Sequence, residues 1–110
     1  MYKVVVVEDE SMVRKGIILT IDWSALDCVV GDAANGEEGV ELVDRLKPDI
    51  VVSDVKMPRM DGVEMIEQLR KQGCKAKFII LTAYSDFKYA QSALRLGVSD
   101  YLLKPLKDGE

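Results

Sequence analysis

At 110 residues, with 48% hydrophobic and 31% charged side chains, the chain can bury a core as one domain and has neither disordered nor membrane-like composition. Its net charge of −4 argues against gripping a phosphate backbone, and its apolar runs are too short to span a bilayer. The absence of histidine removes Ser-His-Asp and Cys-His nucleophiles, imidazole-based zinc sites and any phosphohistidine within the chain.

The first element expected is a strand over Lys3–Val7, which runs directly into three acids, Glu8, Asp9 and Glu10. Ser11 is placed to cap a helix carrying Val13, Ile17 and Ile21 at spacing four. A second strand is expected over Val29–Ala33. Asn35 then precedes Gly36 and two first-turn glutamates, with Val40, Val43 and Leu46 recurring every three residues. Ile50–Ser53 reads as the third strand, and Asp61 as the cap of a helix with Val63, Ile66 and Leu69 inward that stops near Gly73. Phe78–Thr82 is the fourth strand. Ser85 or Asp86 opens a fourth helix with Phe87, Ala90 and Leu94 inward, ending at Gly97, and Tyr101–Leu103 is the last strand.

Several strands are nearly continuous apolar blocks, as parallel strands covered on both faces require. The β-α alternation predicts an α/β fold, a doubly wound five-stranded parallel sheet in the flavodoxin-like order 2-1-3-4-5. The sequence ends soon after the fifth strand, so residues 1–110 are expected to form one domain whose final helix is missing, trimmed from a longer protein. Cys28 and Cys74 lack metal-like spacing and read as reduced thiols of a cytoplasmic protein.

The informative feature is where the polar residues fall. Glu8 and Asp9 follow strand one, Asp54 follows strand three, Thr82 ends strand four and Lys104 follows strand five. Open α/β sheets build sites at these carboxyl ends, where strand order reverses. Two carboxylates ~5 Å apart repel by about 3 kcal/mol at an effective dielectric near 20, so three of them need a proton or a cation. An all-oxygen site suits Mg²⁺, with Mn²⁺ as a substitute. One carboxylate is then left to attack phosphorus, while Lys104 and the Thr82 hydroxyl address phosphoryl oxygens. Taken singly, strand-end acids are commonly solvated loop residues, a strand-end threonine is ordinary packing and a lysine is surface. Their joint placement favours a phosphoryl-accepting site.

The segments "VVVVEDE", "PDIVVSDVKMPRMDG", "FIILTAYSD" and "GVSDYLLKP" together resemble the receiver domain of two-component response regulators over essentially the whole chain. The stretch "LTAYSDFKYAQSALRLGVSDYLLKP" is similar to receivers that precede arabinose-regulator-type DNA-binding domains. The resemblance implies that Asp54 accepts the phosphoryl group and that Asp9 ligates Mg²⁺ directly. It implies that Glu8, where the family often has Asp, assists through a metal-bound water, and that the backbone carbonyl of Lys56 supplies a further ligand. Thr82 and Lys104 would bind phosphoryl oxygens, and Tyr101 would be the switch aromatic. A sensor histidine kinase is the implied donor. Output would pass through the surface of the fourth helix and fifth strand, as a homodimer or by releasing an effector. DNA would be bound by a further C-terminal domain and not by this segment, and no membrane is involved. Lys56 and Tyr84 are expected at the pocket rim; neither orients an attacking water and the Tyr84 ring excludes one, so self-dephosphorylation would be slow.

Rival readings fare worse. A flavodoxin-like nucleotide binder needs an anion-cradling loop after strand one, where "EDES" has the opposite charge. GxxxxGK[ST] is missing, which excludes a P-loop nucleotidase. A Mg²⁺-dependent aspartyl-phosphate hydrolase needs a paired DxD after its first strand. A degenerate receiver that only binds partners conflicts with the intact set Glu8, Asp9, Asp54, Thr82 and Lys104.

Overall fold

The structure, a computed structural model, describes residues 2–57, 59–82, 91 and 100–103, with only the backbone described at 20, 82 and 100–103. Its elements run β1 (Tyr2–Val7), α1 (Ser11–Thr20), β2 (Cys28–Ala33), α2 (Gly36–Leu46), β3 (Ile50–Asp54), α3 (Gly62–Lys71), β4 (Lys77–Thr82) and β5 (Asp100–Leu103). The strands form one sheet in the order β2-β1-β3-β4-β5, every neighbouring pair parallel. This is the flavodoxin-like topology the alternation predicts. The expected fourth helix lies outside the described residues.

The valine run explains why β1 sits inside the sheet. Val4, Val5, Val6 and Val7 are all buried, and alternate residues serve opposite faces. Val5 and Val7 join Val51, Phe78 and Ile80 beneath Val43 of α2 and Met65, Ile66 and Leu69 of α3. Val4 and Val6 join Val52 and Leu81 beneath Ile17 of α1, with Val13, Ile21 and Trp23 packed around them. Each buried valine contributes about 1.5–3 kcal/mol relative to exposure, so a polar residue anywhere in the run is costly.

Helix boundaries follow local chemistry, with one correction. Asn35 caps α2 by accepting the Glu38 N–H at 2.9 Å, and Asp61 caps α3 by accepting the Glu64 N–H at 2.8 Å. Lys47 ends α2 in a left-handed conformation (φ 50°) and Pro48 prevents its continuation. Ser11, expected as a cap, is instead the first helical residue; Glu10 takes the N-cap with extended φ −83° and ψ 113° and makes no side-chain cap hydrogen bond. No helix among the described residues is long and apolar enough to cross a membrane.

Candidate functional site

Register places the site. Val7 of β1 pairs with Ser53 of β3, and Asp54 pairs with Leu81 of β4. Glu8 and Asp54 therefore each stand one residue beyond a registered pair on strands ~4.8 Å apart, at the carboxyl rim of the sheet. Thr82 pairs with Leu103, so its backbone ends β4 at the same rim, beside the last residue of β5. Tyr101 pairs with Ile80, two residues further into the sheet. The side chains of Thr82 and Tyr101 and all of Tyr84 and Lys104 lie outside the described residues.

Glu8 is fully buried and Asp54 only 6% exposed, while Asp9 is partly exposed. Carboxylate oxygens of Glu8, Asp9 and Glu10 lie within 4.8 Å of one another. That cluster does not include Asp54, and it does include Glu10, which the sequence reading left without a role at the site. The Glu10 side chain makes no cap hydrogen bond to α1, and its carboxylate lies with those of Glu8 and Asp9.

The Asp54 carboxylate accepts a long hydrogen bond, 3.4 Å, from the N–H of Lys56, whose side chain is exposed. The loop that follows folds back on the strand end: Val55 N–H donates to the Leu81 carbonyl at 3.2 Å and Gly62 N–H to the Val55 carbonyl at 2.8 Å. Val55 and Met57 are buried, so the backbone leading from Asp54 through Lys56 is held against the rim.

The donor set fits a hard divalent cation. It is oxygen throughout, with neither imidazole nor thiolate, and oxygens around Mg²⁺ at about 2.1 Å stand ~3–4 Å apart. Among the described residues, Glu8, Asp9 and Glu10 are the side chains the structure brings together as possible ligands. Their carboxylates, whose oxygens lie within 4.8 Å of one another, would offer such an ion its ligands.

Two residues that sequence reasoning did not single out complete the geometry. Arg14 of α1 donates from Nη1 to the Glu8 carbonyl at 2.7 Å and from Nε to Asp32 Oδ2 at 2.9 Å. Asp32 lies at the carboxyl end of β2, and a polar residue at that position was its available signal. A cavity of about 300 Å³ elsewhere, between the C-terminal ends of α2 and α3 and lined by Lys47, Leu69, Cys74 and Lys75, lies at the opposite rim.

The chain belongs to the response regulator receiver domain family, whose model matches residues 4–110. It is 38% identical over 109 residues to the transcriptional regulatory protein YesN of Bacillus subtilis, covering 98% of this chain and 30% of YesN. Among solved structures it resembles the receiver domain of AraT, a response regulator from Geobacillus stearothermophilus, with TM-score 0.91 and 40% identity over 97% of this chain and 84% of that one. It also resembles a two-component transcriptional regulator AraC from Clostridium phytofermentans, with TM-score 0.85 and 29% identity over 98% of this chain and 84% of that one. The chain spans 30–42% of the length of the curated relatives it matches. The similarity to receivers of arabinose-type regulators agrees with the finer resemblance read from the sequence.

Proposed function

We propose that this receiver domain is the phosphorylation switch of a two-component system and that Asp54 is its phosphoacceptor. In that reaction an Asp54 oxygen attacks the phosphorus of a kinase phosphohistidine. The P–N bond breaks and the imidazole leaves with its electron pair and takes up a proton. The observation that carries the reading is the register of β1, β3 and β4, which supports convergence of Glu8, Asp54 and the end of β4 on one rim. Glu8, Asp9, Asp54 and the Lys56 carbonyl would hold a magnesium ion, which would neutralise the charge that gathers as phosphate approaches carboxylate. The chain's own part is to hold Asp54 nearly buried at the rim and to present Thr82 and Lys104 to the phosphoryl oxygens.

Movement of Thr82 toward the phosphoryl group would release Tyr101 to turn inward, altering the β4–β5 edge. Output is then homodimerisation through that edge and the segment before it, or control of a DNA-binding effector domain. The regulatory names of the relatives support the latter. A cytoplasmic location and a sensor histidine kinase partner follow from the same reading.

Incubation of the protein with a small acyl-phosphate donor and Mg²⁺, followed by intact mass measurement, tests it. One phosphoryl increment is expected, removed by hydroxylamine and absent in Asp54→Asn. An unmodified wild type that remains folded would leave a partner-binding module as the better reading.

A further inference from the structure

We propose that Arg14, anchored by Asp32, is the positioning residue of the acidic site. It sets the turn that presents Asp9, and with it the affinity for a divalent cation. The inference rests on the function proposed above and concerns a residue pair outside the expected acceptor and metal-binding set.

The geometry of the turn leads to it. The Glu8 N–H donates to the Ala33 carbonyl at 3.1 Å, which continues the β1–β2 ladder one residue past the strand. The Glu8 carbonyl, the next polar group, receives the Arg14 guanidinium at 2.7 Å. Two residues later the Glu10 carbonyl receives the Arg14 backbone N–H at 2.9 Å. Arg14 thus grips the chain on both sides of Asp9, through its side chain before and its main chain after. The peptide planes that aim the Asp9 side chain are fixed between these two holds.

The guanidinium is itself fixed. Its Nε–H bonds Asp32 at 2.9 Å, so Nε and Nη1 are used as a fork between the ends of β1 and β2. The Arg14 side chain is 16% exposed against 47% for Asp32, so the hold on Glu8 lies beneath the surface and the anchor near it. A charge so placed also offsets repulsion in the Glu8-Asp9-Glu10 cluster. The two roles separate on substitution, because an ammonium preserves the charge but is a point donor on a flexible stem that cannot reproduce the fork.

Groups that orient metal ligands change metal affinity by roughly 10–100-fold when removed. Isothermal titration of Mg²⁺ into the intact chain should accordingly show Arg14→Lys, which keeps the charge, weakening binding by about tenfold or more. Asp32→Asn, which keeps the shape but loses the ionic anchor, should weaken it by a smaller factor. Phosphoryl acceptance from an acyl-phosphate donor should return toward the wild-type rate in these variants when Mg²⁺ is raised to saturation. Wild-type affinity in Arg14→Lys would show that charge alone matters and overturn the positioning role. If Arg14 variants fail to fold, unchanged affinity in a folded Asp32→Ala protein overturns it equally. A wild type that binds no Mg²⁺ removes the underlying functional reading, whereas a wild type that binds and variants that match it remove this inference alone.

Discussion

A Cβ on Gly62 would lie 2.3 Å from the carbonyl oxygen of Asp54 and 3.1 Å from the Cα of Val55. Both obstacles are backbone, and they belong to the strand end that carries the proposed acceptor, so accommodation means moving that strand end or the start of α3. Gly62→Ala should destabilise the domain by about 1–3 kcal/mol, the usual range for overpacking. It should slow phosphoryl acceptance as well. Gly16, within α1, has nothing within 4 Å of the same virtual atom, so Gly16→Ala should stabilise by ~0.5–1 kcal/mol through helix propensity and a less free unfolded chain. Urea unfolding of the two variants reads the contrast directly. Destabilisation of equal size at both positions would show that the close approach at Gly62 does not constrain the loop.

The same contrast between local preference and imposed geometry operates on whole elements. Asn35 and Asp61 were recognisable as helix starts because each has a short acceptor side chain on an extended residue, three positions before a glutamate N–H it can reach. Glu38 reinforces the first of these by accepting the Ala34 N–H at 2.9 Å. Ser11 has the right chemistry but the wrong backbone. The chain is already pinned at Glu8 by Ala33 and Arg14, so helical geometry begins at Ser11 and the cap falls to Glu10. Removing a working cap costs about 1 kcal/mol, whereas a surface side chain with no such role stays within ~0.5 kcal/mol. Asn35→Ala should therefore lower the denaturation midpoint clearly and Ser11→Ala barely. A large loss in Ser11→Ala, measured under the same conditions, would mean that the hydroxyl caps α1 after all.

Across the molecule, the sheet order and the shared rim were legible because runs such as Val4–Val7 and Val51–Val52 admit only a strand covered on both faces, and parallel alternation then fixes which ends coincide. The Arg14–Asp32 bridge was not legible, because it depends on how α1 is rotated on the sheet and on β2 lying beside β1, and neither is a local property. The rim that results gathers the carboxylates of Glu8, Asp9 and Glu10 at the end of a buried strand, a group that a divalent cation would stabilise. A ligand present at a hundred times its dissociation constant adds about 2.7 kcal/mol to stability, a rise of roughly 10–20 °C in melting temperature for a domain of this size. Saturating Mg²⁺ should raise the melting temperature by that order, and chelation should reverse it. Asp9→Asn should do two things at once: melt higher than wild type without metal, by on the order of 1 kcal/mol after solvent screening of a partly exposed group, and lose most of the Mg²⁺-dependent rise. The two effects would have one cause, since repulsion among the clustered carboxylates would weaken the metal-free fold and attract the cation. A variant that gained metal-free stability yet kept the full Mg²⁺ response would separate them and place the cation elsewhere.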